Sequence, residues 1–165
     1  MSRAARRVAV QDASDGARVP AAKRLRDWAL RALEATDRRG ELTIRIVGED
    51  ESAELNSRYR GKQGPTNVLA FPSEPIPSEP LAGANGEGAE LLPVGDLVIC
   101  APVVIREAAE QGKTPEAHWA HMVVHGTLHL AGFDHETARE ARAMEGRERE
   151  LLASLGFADP YATKV

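Results

Sequence analysis

The stretch His121-Met-Val-Val-His125-Gly-Thr-Leu-His129-Leu-Ala-Gly132-Phe-Asp-His135 decides how the C-terminal half of this chain is built. The spacing of His125 and His129 puts both on one face of a helix, one turn apart. Gly132 is the expected helix end, because glycine readily takes the left-handed cap conformation. The chain can then turn back and bring His135 to the same point. Three imidazoles from a helix and the following turn form a tripod. A tripod leaves the fourth tetrahedral position free, as catalytic zinc sites do.

All five histidines of the chain lie between His118 and His135. A histidine pair at helical spacing is by itself common surface or packing chemistry. The third histidine, the glycine turn and the lack of histidine elsewhere carry the metal reading. His121 lies one turn before His125 and is read as packing or as orienting a ligand, since a fourth ligand would close the site. His118 is assigned no role.

The 165 residues suit one domain, residues 1–165, and 42% hydrophobic content can build a core. With only 4% aromatic residues, aliphatic packing must dominate. No apolar run approaches the length of a membrane span, and no signal-length apolar stretch follows the basic Met1–Arg7 segment. A lone Cys100 forms no internal disulfide and is expected as a small buried residue. A cytoplasmic location is therefore expected. The net charge of −4 does not advertise nucleic-acid binding, but its distribution is uneven. Residues 1–39 hold ten Lys/Arg against five Asp/Glu, and Arg58, Arg60 and Lys62 have no acid between Ser57 and Ser73. Such clusters are also ordinary solvated faces.

Apolar periodicity predicts strands at Arg7–Gln11, Leu42–Val47, Val68–Phe71 and Leu91–Cys100. It predicts helices at Ala21–Thr36, Asp50–Tyr59, Val103–Gln111, Pro115–Ala131 and Glu136–Leu155. Leu25, Trp28, Ala29, Ala32 and Leu33 should face inward from the first helix, and Ala53 and Leu55 from the second. Residues 72–90, rich in proline, glycine and glutamate, read as a long acidic loop. Strands come early and helices late. The expectation is an α+β fold, a small mixed β-sheet packed against helices, with the histidine helix and its turn as the metal element.

The second informative segment runs from Asn56 to Pro72, through Gly61, Gly64 and Pro65. Functional side chains concentrate in turn-rich loops on rigid scaffolds. Arg60 stands at the head of this loop. Its planar fork suits phosphate, although an exposed arginine also pairs readily with solvent or a nearby acid.

Together these segments resemble a known family. The pattern His-Gly-Thr-Leu-His-Leu-x-Gly-Phe-Asp-His follows Tyr-Arg-Gly-Lys…Thr-Asn-Val-Leu-x-Phe and Gly-Asp-Leu-Val-Ile. It is similar to that of the YbeY endoribonucleases, ribosomal RNA maturation factors, over roughly residues 40–156. The resemblance implies a single α+β domain and one Zn2+ per chain on His125, His129 and His135. It implies Arg60 as the arginine associated with cleavage. It also implies single-stranded RNA as substrate, small-subunit ribosomal RNA and ribosomal components as partners, and a role in processing and quality control of that RNA. Two departures stand out: Asn67 where the family often has aspartate, and Phe133 where it often has tyrosine.

Zinc on three neutral imidazoles keeps its full charge, which suits phosphodiester cleavage, with His125 and Arg60 as the catalytic pair. Water and the ribose 2′-hydroxyl both stay open as nucleophile, and no general base is evident. Asp134, beside His135, is expected to orient a ligand. Nickel or copper would also suit the tripod. A zinc protease of the His-Glu-x-x-His kind is disfavoured, because Gly126 occupies the position of its base and reads as a close-packing residue. A non-catalytic assembly factor with structural zinc is the other alternative. Structural sites usually have four protein ligands, commonly cysteines.

Overall fold

The computed structural model describes residues 5–73 and 92–161. Most of the expected acidic loop, and Leu91 of the expected fourth strand, lie outside them. The elements run β1 (Arg6–Ala13), α1 (Ala22–Ala35), β2 (Gly40–Val47), α2 (Glu49–Arg60), β3 (Val68–Pro72), β4 (Pro93–Cys100), α3 (Ala101–Glu110), α4 (Pro115–Leu130) and α5 (Ala138–Ser154). The sheet order is β1-β2-β4-β3. β1 and β4 run parallel to β2, and β3 is antiparallel to β4. The mixed α+β sheet is as expected. The order of elements is not simply strands then helices. Strand and helix alternate through the first half, since each parallel pairing needs a crossover.

The main core lies on one face of the sheet. Leu42, Ile44 and Ile46 alternate inward along β2 and are fully buried. They meet α1, whose inward residues are the expected Leu25, Trp28, Ala29, Ala32 and Leu33. α4 packs beside α1 on this face, with Trp119, Val123, Val124 and Leu128 in the same core. A smaller cluster on the other face joins Val47, Leu69, Val98, Cys100 and Val103, with Leu55 and Phe71 against it. Cys100 is buried as expected, and burial pushes its thiol pKa up.

α2 turns the expected Leu55 to the smaller cluster but otherwise departs from expectation. Its buried residues are Ser52 and Asn56, and Ala53 is only partly covered. The reason is the loop that follows. The Ser52 hydroxyl donates to the Thr66 carbonyl and accepts from the Thr66 N–H, both at 3.0 Å. Asn56 Nδ2 donates to the Gly64 carbonyl at 2.9 Å. Buried polar side chains thus satisfy the backbone of a turn that has no strand or helix to do so.

Candidate metal centre

α4 opens with Pro115 after Thr114, whose hydroxyl accepts the Ala117 N–H at 3.1 Å. It closes at Gly132, which takes φ +107° while the Phe133 N–H donates to the Leu128 carbonyl at 3.0 Å. The turn expected at Gly132 is therefore present. It brings His135 back beside the helix, with ring centroids 4.8 Å from His129 and 5.9 Å from His125. One ring nitrogen from each of His125, His129 and His135 lies within 4.8 Å of the others, so the trio could hold a metal ion. His125 and His129 are half-buried and His135 is exposed, which leaves the group open on one side. Burial, and then the neighbouring His125 and His135, lower the His129 pKa, favouring the neutral imidazole that a metal needs.

Behind the trio stands a residue that the sequence reading missed. Glu148 on α5 is completely buried. Its Oε1 lies 2.7 Å from His125 Nδ1 and 3.1 Å from His121 Nε2, and its Oε2 accepts from the Tyr161 hydroxyl at 2.7 Å. Burial opposes ionisation of Glu148, but the bonds with His121, His125 and Tyr161 outweigh it and hold the carboxyl down at about 2. A carboxylate on the far nitrogen of an imidazole is the usual companion of a metal-bound histidine. With Nδ1–H donated to Glu148, the His125 Nε2 lone pair is left for a metal. The donor set, three imidazoles of which one is backed by a carboxylate, therefore fits a divalent transition-metal ion. His121, His125 and Glu148 form a second tight trio, but its atoms already bond one another.

His121 shares Glu148 with His125 and meets its ring edge-to-face, with centroids 6.1 Å apart, one step out from the tripod. Asp134 bonds the backbone of the expected ligand His135, not its ring. Its carboxylate accepts the backbone N–H of His135 at 2.7 Å, shaping the turn. Glu148 is the acid bonded to a ring of the trio. His118 has a role after all. It is buried, with Nε2 2.9 Å from Glu107 Oε1, and Glu107 also accepts from Asn67 Nδ2 at 3.1 Å. Asn67 suits this place, because an aspartate would set a carboxylate against Glu107. Phe133 packs at the edge of the main core.

Gly126 faces the sheet. A Cβ there would stand 2.7 Å from Leu97 Cδ2 and 3.3 Å from Val68 Cγ2. Close packing is thus its role, and a glutamate would not fit. Across the edge strand β3, a cleft of about 510 Å³ is lined by Tyr59, Arg60, Asn67, His125, His129 and His135. Arg60 ends α2, and Gly61 caps it in the left-handed region at φ +66°. Arg60 makes no ion pair with any described residue. The structure thus brings together all the residues expected in the site and adds Glu148 and Tyr161. Glu148 had a legible signal: with Met144, Leu151 and Leu152 it occupies the apolar stripe of α5.

The family model described as Endoribonuclease YbeY matches residues 10–156, reaching further towards the N-terminus than the motifs alone. A protein named Endoribonuclease YbeY from Halorhodospira halophila is 56% identical over 146 residues, covering 88% of this chain and 90% of its own. One of the same name from Xanthomonas axonopodis pv. citri is 52% identical over 155 residues, covering 94% and 92%. The solution structure of TM1509 from Thermotoga maritima shares the fold, with a TM-score of 0.52 at 24% identity over 93% of this chain and 99% of that one.

Proposed function

The chain belongs to the endoribonuclease YbeY family, and from that premise we propose that it is a zinc-dependent, single-strand-specific endoribonuclease of one domain. His125, His129 and His135 are the proposed ligands, and Arg60 and His125 the proposed catalytic residues. The observation that carries this reading is one cleft holding three convergent imidazoles and an arginine that, among the described residues, has no carboxylate partner.

Zinc, when bound, supplies a Lewis acid that polarises a phosphoryl oxygen and lowers the pKa of water. The protein supplies the rest. Arg60 donates its fork to the non-bridging oxygens, where negative charge grows in the transition state. The Ser52 and Asn56 bonds hold the loop that follows Arg60, so the end of α2 that carries Arg60 is kept beside the trio. Glu148 keeps the proton of His125 on Nδ1. Gly126 lets α4 sit close against β4, which seats His125 and His129 at the rim of β3.

Small-subunit ribosomal RNA and ribosomal components as substrate and partners, and a cytoplasmic site of action, belong to the same proposal. Depleting the protein in its host should accumulate unprocessed small-subunit RNA. Arg60→Ala tests the mechanism directly. It should retain fold and zinc and cut single-stranded RNA about 10²–10³-fold more slowly. Unchanged cleavage would remove Arg60 from the mechanism.

A further inference from the structure

Tyr59 is one of two large hydrophobic side chains exposed among the described residues, with 59% of its surface open. Its ring is nonetheless held, packed edge-to-face on Phe71 with centroids 5.2 Å apart. A ring serving the core alone would be covered; this one is fixed and uncovered.

Tyr59 and Phe71 line the cleft of the histidine trio and also a neighbouring groove of about 530 Å³ on the open part of the sheet. Leu55 and Val98 line that groove beside the two rings, and its polar side chains are Gln11, Thr43, Arg45, Glu51 and Asp96. The register sets Gln11 beside Arg45 and Thr43 beside Asp96. Arg45 is fixed by a fork to Glu51 at 2.6 and 3.0 Å, with its third nitrogen 3.3 Å from Gln11 Oε1. With its charge paired and Asp96 nearby, the groove does not attract phosphate. It offers hydrogen-bond acceptors and an aromatic wall.

The geometry points to a nucleobase subsite: one unpaired base next to the cut stacks on Tyr59 and turns its edge towards Gln11, Thr43 and Asp96. The inference rests on the nuclease reading above. The phosphate lies at Arg60, and the base swings around β3 into the groove. Proteins that bind single strands pair a cationic track with aromatic stacking in this way. Asp96, Gln11 and Thr43 oxygens accept from base N–H and amino groups. A base stacked on both sides within a duplex cannot enter, so the subsite gives a physical cause for single-strand preference.

The test is an abasic scan. Single-stranded RNA oligonucleotides, each lacking one base, are bound to the whole protein in EDTA and followed by fluorescence anisotropy. Cleavage is read separately with zinc. Wild type should lose roughly 5- to 100-fold in affinity when one particular base is removed. Tyr59→Ala should bind the intact oligonucleotide that much more weakly and lose nothing further at that position. Tyr59→Phe and Tyr59→Trp should keep the wild-type pattern. Equal penalties in wild type and Tyr59→Ala, or no binding by either, would overturn the subsite. Intact binding without zinc-dependent cleavage would instead overturn the nuclease reading and leave the subsite standing.

Discussion

Nδ1 of His125 stands 2.7 Å from Oε1 of Glu148, joining the middle of α4 to the middle of α5. Glu148 has no exposed surface, so this bond works away from water and fixes both the ring and its tautomer. Its value shows in metal affinity. Glu148→Gln keeps the shape and removes the charge. Zinc affinity, measured by competition with a chelator, should fall about 10–100-fold. An unchanged affinity would mean that the bond serves packing alone.

Gly126 is held by space. Alanine is the better helix former by about 1 kcal/mol, yet its Cβ would meet Leu97 Cδ2 at 2.7 Å. Gly126→Ala should destabilise the fold by about 1–3 kcal/mol in urea unfolding, as overpacked cores do. A stabilised variant would show that α4 has room to move.

His118 makes stability depend on pH. Burial lowers its pKa below the usual 6.5, against the opposing bond to Glu107. A lowered folded pKa means that the unfolded chain takes up the proton first. The stability His118 contributes is thus complete above about pH 6.5 and is lost as pH falls through its lower folded pKa. In metal-free protein, the urea midpoint of wild type should fall more steeply below pH 6.5 than that of His118→Gln. Parallel curves would contradict this.

RNA binding should depend on salt through Arg58, Arg60 and Lys62. Three phosphate contacts give a log–log slope of about −2 for a single strand. Replacing Arg58 and Lys62 with alanine should flatten the slope by about 1.4. A wild-type slope near zero would remove the electrostatic part of the account.

The tripod was legible because its geometry is local. One helical turn and one glycine bring three side chains together, and no distant pairing is needed. The inward faces of α1 and β2 were legible because apolar periodicity records burial. α2 was legible only at Leu55 for the same reason: it buries Ser52 and Asn56, and periodicity counts polar residues as exposed. Glu148 was lost among the charges of α5, although it occupies an apolar-stripe position. The order β1-β2-β4-β3 and the return of Tyr161 to Glu148 rest on long-range packing, which no local pattern encodes.

The most direct test of the central claim is zinc content by elemental analysis, with single-stranded RNA cleavage measured on the same samples, for wild type and His129→Ala. The account predicts about one zinc per chain in the wild type, and loss of both zinc and cleavage in the variant. Zinc lost with cleavage unchanged would contradict it, and would place the nuclease activity outside this site.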